Sequence, residues 1–183
     1  WELTDTCNLR CMYCSNIELL DSKNISNIID YKYVINYFKD VVTGIDLLGG
    51  EPLLHPNIID IIETANMYGI KTSVVTNGQF DGEIIERLIN SNIENIVISI
   101  EGMKNANDDI RGSGSWDNAM FFLQKACEYI KKKNSLTQIG INIVVNRFNK
   151  DEIIDLIDFT KIYNINYQIT HLVAKGNAVK NLN

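Results

Sequence analysis

Proline is nearly missing from this chain, with two in 183 residues. No proline-rich linker therefore divides it, and no low-complexity tract or membrane-length apolar run interrupts it. A chain of this length buries one core, so a single domain over residues 1–183 is expected, with no membrane partner. Positive charge is short as well. Seventeen Lys and Arg stand against 23 Asp and Glu, a net charge of −6, which argues against a nucleic-acid partner. The one basic run, Lys131-Lys132-Lys133, closes an expected helix, where cations suit the dipole. Cysteine is scarce and uneven: four in all, three of them within residues 7–14 and Cys127 far away. That distribution suits a disulfide framework poorly and a reducing cytoplasm better. An initial methionine is also lacking, and the residues after Trp1 already read as a strand. The chain is expected to be a piece of a longer protein, so the lack of a leader carries no information.

What is present is an alternation. Apolar, β-branched runs at residues 2–6, 45–48, 71–76, 95–100, 138–145 and 167–170 read as strands. Amphipathic patterns lie between them: Ile58, Ile61, Ile62 and Ala65; Ile84, Leu88 and Ile89; Ala119, Phe122, Leu123, Ala126 and Ile130; Ile153, Leu156 and Ile157. Ser115 and Asn149 are placed to cap the fourth and fifth helices. Strand–helix repetition of this kind gives a parallel sheet with helices outside it. Six strands are too few for a complete eightfold barrel, so an open, partial TIM barrel of the (β/α)6 type is expected.

The polar motifs follow one rule. The cysteine loop comes after the first strand, Gly49-Gly50-Glu51-Pro52 after the second, and Thr76-Asn77-Gly78 ends the third. Ser99 and Glu101 close the fourth, Asn146 the fifth and His171 the sixth. Ligands bind at the C-terminal ends of parallel strands, so these residues should line one site.

Cys7, Cys11 and Cys14 provide three soft ligands where a four-iron cluster takes four, which leaves one position open. Zinc completed by His55 or His171 is the rival, although zinc sites usually pair their cysteines in two separated knuckles and only one is present. A plain electron carrier with an exogenous fourth ligand is another alternative. Gly49-Gly50 reads equally as a tight turn needing positive φ. Ser99 and Arg111 would pass, taken singly, for a buried serine and a surface arginine. Cys127 falls on an apolar helix face and reads as an inert core thiol.

The Cys-x3-Cys-x2-Cys spacing with Tyr13 before its last cysteine resembles the cluster loop of the radical S-adenosylmethionine enzymes. Gly49-Gly50-Glu51-Pro52 is similar to that family's Gly-Gly-Glu motif, and Ser99-Ile-Glu-Gly102 to its Ser-Ile-Asp-Gly segment. Arg111 follows in a Gly-Ser-rich loop, and Lys175-Gly176-Asn177-Ala178 resembles a later Gly-x-Ala turn. The resemblance implies that Cys7, Cys11 and Cys14 hold a [4Fe–4S] cluster whose open iron is chelated by S-adenosylmethionine. It assigns the methionyl amino group to Gly49, Gly50 and Glu51, and the carboxylate to Ser99 and Arg111. It places adenine at the Tyr13 backbone, with Asn146, Leu172 and Val173 lining the nucleoside pocket. The implied activity is reductive cleavage of S-adenosylmethionine, fed by an external one-electron reductant, to a 5′-deoxyadenosyl radical that takes hydrogen from a substrate. The Ser-Ile-Glu-Gly and Arg-Gly-Ser-Gly-Ser-Trp segments look most like the peptide- and protein-modifying subgroup; a small-molecule substrate is the alternative. Glu101 stands where Asp is usual, which bears on ribose contact. No residue is marked as a general base.

Overall fold

The alternation resolves into an all-parallel sheet of five strands in which sequence order is spatial order, β1-β2-β3-β4-β5. The computed structural model describes residues 1–20 and 30–181. The strands are β1 (Gly44–Leu47), β2 (Lys71–Thr76), β3 (Asn95–Ser99), β4 (Gln138–Val145) and β5 (Asn166–His171). Helices α1 (Tyr31–Phe38), α2 (Ile58–Met67), α3 (Gly82–Asn90), α4 (Lys104–Arg111), α5 (Ser115–Lys133), α6 (Ile153–Tyr163) and α7 (Asn177–Asn181) complete the chain. The result is a half-barrel with helices around it. Among the described residues, no helix is long and apolar enough to cross a membrane.

The expected first strand takes a different form. Residues 1–6 run as a parallel partner beside the exit from β1: Leu48 N–H donates to Trp1 O (2.8 Å), Leu3 N–H to Leu48 O (2.9 Å), Gly50 N–H to Thr4 O (2.6 Å) and Glu51 N–H to Thr6 O (2.8 Å). Glu2 and Leu48 form an isolated bridge. Their partner is a turn, with Gly49 at φ +137°, so a regular ladder cannot continue. A sixth parallel track exists without becoming a sixth strand.

One apolar face from each large helix closes on the sheet. Ile58, Ile61, Ile62 and Ala65 of α2 join Ile85, Leu88 and Ile89 of α3 and Phe122, Leu123 and Ala126 of α5 in one cluster. Val74, Ile96, Ile98, Ile141 and Ile143 of the strands lie in the same cluster. Each fully buried Ile or Leu contributes roughly 1.5–3 kcal/mol. At the base the chain turns back into the sheet through a recurring device. Asn92, Asn134 and Asn164 take left-handed φ of 57°, 50° and 52°, and Gly69 takes 71°. Asn and Gly tolerate that conformation best.

Both expected caps are corrected. Ser115 is the first residue of α5, behind Gly114. Asp108 does the capping, accepting from Gly114 N–H (3.0 Å), Trp116 N–H (2.8 Å) and the Ser115 hydroxyl (3.1 Å). Burial alone would push the Asp108 carboxyl up, but these donors outweigh it and hold it below its ordinary value. Asn149 lies before a short 3-10 turn and makes no cap bond. Its amide instead donates to Glu101 O (2.6 Å) and Val144 O (3.0 Å). Arg111, expected in a loop, is the last residue of α4.

Candidate active site

The cysteine loop is held from several directions through its backbone. Met12 N–H donates to Ile110 O (2.8 Å), anchoring the loop to α4. From the far end of the chain, Asn177 donates through its backbone to Cys14 O (3.0 Å) and through its side chain to Cys11 O (3.3 Å). Asn181 Nδ2 donates to Met12 O (2.9 Å). Gly176, at φ +59°, lies so close that a Cβ would sit 2.5 Å from Cys14 O. The Gly-x-Ala segment is thus a latch on the cysteine loop.

The Gly-Gly turn is packed equally tightly. A Cβ on Gly49 would lie 2.5 Å from Thr4 O, and one on Gly50 2.4 Å from Thr6 O. Positive φ at Gly49 and close backbone approach at both are what the sequence requires of them.

These elements enclose a cavity of about 240 Å³ at the C-terminal ends of the strands. Cys7, Cys11, Cys14, Tyr13, Gly49, Gly50, Glu51, Ser99 and Arg111 all line it, together with Thr76, Asn77, Asn142 and Val144. Asn146, Leu172 and Val173 are not among its walls. The Asn146 side chain is spent on its own turn, donating to Val144 O and accepting from Phe148 N–H. Val173 is exposed and Leu172 half-buried.

The buried polar groups form two sets. Glu51 is 1 % exposed; Oε1 accepts from Leu53 N–H (3.1 Å) and the Thr76 hydroxyl (2.8 Å), and Oε2 from Asn77 N–H (2.7 Å). Burial lifts its carboxyl to about 7 against the pull of those donors. The second set joins Arg111, Glu101 and Tyr13. Arg111 Nη1 donates to Glu101 Oε1 (2.8 Å) and the Tyr13 hydroxyl (2.9 Å), and that hydroxyl donates to Glu101. Val144 N–H donates to Glu101 Oε2 (2.7 Å). Burial raises the Glu101 carboxyl and the Tyr13 phenol. It opposes the Arg111 cation too, but adjacent Tyr13, Cys11 and Glu101 outweigh it, so Arg111 stays charged. Glu101, whose position suggested ribose contact, is fully buried and fastens Arg111.

Two observations test what the site can hold. Among the described residues, Arg111 Nε is buried without a hydrogen-bond partner, and the Arg111 side chain lines the cavity. A buried guanidinium N–H left orphaned costs free energy and suits a carboxylate ligand. Cys7, Cys11 and Cys14 are unbridged and half-buried on the same wall. Burial raises Cys7 and Cys11 above the ordinary thiol value, so a cationic centre is what would stabilise their thiolates. Among the described residues, no three Cys, His, Asp or Glu groups converge on one ion. Neither histidine of the zinc alternative lines the cavity with the thiols: His55 Nδ1 accepts from Asn57 N–H (3.2 Å), and His171 is exposed. The donor set fits a multi-iron cluster with a carboxylate-bearing ligand.

Sequence reasoning fell short at Asn77 and at α4. It gave Asn77 a place at the mouth without a role, and it saw no helix where α4 lies. A polar residue closing a parallel strand was the available signal for the first.

The matching family model is that of the Radical SAM superfamily, over residues 1–160. The chain belongs to that superfamily, whose members use S-adenosylmethionine with a [4Fe–4S] cluster. Among curated proteins it is 27% identical over 186 residues to the GTP 3′,8-cyclase of Clostridium perfringens (strain SM101 / Type A), covering 97% of this chain and 56% of the cyclase. It is 27% identical over 184 residues to the mycofactocin maturase MftC of Mycobacterium tuberculosis (strain ATCC 25618 / H37Rv), covering 96% and 44%. The chain thus spans about half the length of these relatives. Streptococcus suis SuiB bound to S-adenosylmethionine shares the fold, with a TM-score of 0.81 at 21% identity, covering 100% of this chain and 42% of SuiB. SuiB has also been solved bound to a precursor peptide, SuiA.

Proposed function

We propose that this protein is a radical SAM enzyme acting on a peptide or protein side chain. Cys7, Cys11 and Cys14 would hold a [4Fe–4S] cluster and Arg111, with Ser99, the S-adenosylmethionine carboxylate. When bound and reduced by an external one-electron donor, the pair supplies a 5′-deoxyadenosyl radical for hydrogen abstraction. The observation that carries the reading is the shared wall: three thiols and the buried Arg111 side chain, its Nε unpartnered among the described residues, on a single cavity.

The chain's own residues bind and orient. The Gly49-Gly50 turn brings its backbone to the cavity rim for the amino group, and Glu51 sets that turn against β2. Glu101 and Tyr13 fix the Arg111 guanidinium, leaving Nε for the ligand. Tyr13, beside Cys14, ties the cluster loop to the carboxylate site. Asn146, Leu172 and Val173 remain candidates for the nucleoside end, beyond the cavity's present walls. The thiols call for a reducing compartment, which makes the cytoplasm the expected location.

Similarity to MftC and the fold shared with peptide-bound SuiB support the peptide reading. Similarity to the GTP cyclase supports the alternative, a small metabolite. The test is anaerobic reconstitution with iron and sulfide, then dithionite and S-adenosylmethionine, with 5′-deoxyadenosine followed by chromatography. Release of 5′-deoxyadenosine by the wild type and none by Cys11→Ala is expected. Its absence from a cluster-loaded wild type overturns the proposal.

A further inference from the structure

Thr76-Asn77-Gly78 is the strand-end motif to which the ligand assignments give no task. Asn77 is 4 % exposed and lines the cavity beside Cys7. Its carboxamide has one orientation available. Oδ1 accepts from Gln79 N–H (3.0 Å), so Nδ2 must face the cysteine loop. There it donates to Asn8 Oδ1 (2.7 Å) and to Cys7 Sγ (3.8 Å). Each hydrogen of the amide has its own acceptor.

The main chain of Asn77 is fixed as firmly. Its N–H is held by Glu51 Oε2 (2.7 Å) and its carbonyl by Gln79 Nε2 (3.0 Å). Leu9 N–H also donates to Cys7 Sγ (3.4 Å). Cys7 is therefore the thiol aimed by two donors, one from its own loop and one from the end of β2.

We infer that Asn77 is a positioning residue for the cluster, orienting Cys7 and setting the reduction potential through an N–H···S bond. The inference rests on the reading of the three cysteines as cluster ligands. Hydrogen bonds to cluster sulfurs raise the potential, because they stabilise the electron density gained on reduction. Glu51 then acts twice, shaping the Gly-Gly turn and holding the residue that aims the first cysteine.

The test is an anaerobic redox titration of the reconstituted protein, followed by electron paramagnetic resonance, for wild type, Asn77→Leu and Asn77→Asp. Leu removes the donor without adding charge; Asp keeps the acceptor for Gln79 and sets a carboxylate against the sulfur. At a fixed poise the reduced-to-oxidised ratio should fall roughly tenfold in Asn77→Leu, about 59 mV for one electron, and further in Asn77→Asp. Asn8→Ala, which removes the other acceptor of the amide, should change it much less. Should the variants assemble no cluster, the wild type labelled with ¹⁵N in the asparagine side-chain amide is measured instead. A ¹⁵N hyperfine coupling to the reduced cluster is expected, and its absence overturns the inference. Equal potentials in wild type and Asn77→Leu, both loaded, overturn the inference alone. A wild type that takes up no iron overturns the underlying reading with it.

Discussion

The two ends of the half-barrel treat charge in opposite ways. At the base, Lys71 pairs with Glu94 and Lys133 with Glu86, on side chains that are 33–68% exposed. Exposed pairs of this kind contribute about 0–1 kcal/mol. At the mouth, Arg111 is 7 % exposed and Glu101 0 %, and Glu51 is buried beside them. Desolvating such groups costs several kcal/mol per ion, which a fold recovers only through full hydrogen bonding. Here Glu101 recovers it from three donors, while Arg111 keeps its buried Nε–H without a partner among the described residues. A buried cation with an orphaned donor is what a ligand site requires and a stability device does not.

Removing thiols gives the widest contrast. Cys7→Ala, Cys11→Ala and Cys14→Ala should each abolish iron uptake after anaerobic reconstitution, read as iron and sulfide per chain. Cys127, which lies toward the base beside Thr137 and Gln138, should be replaceable by Ala with uptake intact. Next comes charge. Glu101→Leu strands the Arg111 cation and should cost about 3–5 kcal/mol by chemical denaturation, whereas Lys71→Ala should cost about 1 kcal/mol or less.

Glycines sharpen the contrast further. Gly50→Ala drives a methyl into Thr6 O and should cost about 1–3 kcal/mol, with weaker retention of iron. Gly69→Ala meets nothing within 4 Å and bears only its left-handed φ, roughly 1–2 kcal/mol, with iron retention unchanged. The smallest effect is a slope. Glu51 has its folded value raised from 4.5 to about 7, so the folded protein holds a proton that the unfolded chain has released. Stability of the cluster-free protein should therefore decline as pH rises from about 4.5 through about 7. Urea denaturation at several pH values should show that decline, and Glu51→Gln should flatten it.

How far the chain could be read follows the same division. Strands at residues 71–76 and 138–145 match β2 and β4 end for end, because β-branched runs bounded by turns carry a strong local signal. The large helices were legible for the same reason, with Ile85 rather than Ile84 the residue buried in α3. α4 was not. Its sequence, KNANDDIR, has a single large apolar residue, and what it buries is Asn107, Ile110 and Arg111. A helix that packs a polar face against a site shows no apolar stripe. Likewise, Asp108 caps α5 from a neighbouring helix, which no local spacing reveals. The site residues were placed by their positions at strand ends, and that rule brings Glu51, Ser99 and the cysteines to one cavity. Asn146, placed by the same rule, lies outside those walls with its side chain bonded within its own turn. The rule gave no hint that Glu101 would turn inward to Arg111, since that depends on contacts across β3, β4 and the cysteine loop.

The central claim is that the thiols and Arg111 Nε serve one bound pair, a cluster and S-adenosylmethionine. Its most direct test is electron paramagnetic resonance of the reconstituted, dithionite-reduced protein with and without S-adenosylmethionine. A reduced [4Fe–4S] signal that changes on addition, and that needs far more S-adenosylmethionine to change in Arg111→Lys, is the predicted result. A cluster signal indifferent to S-adenosylmethionine in the wild type would contradict the account.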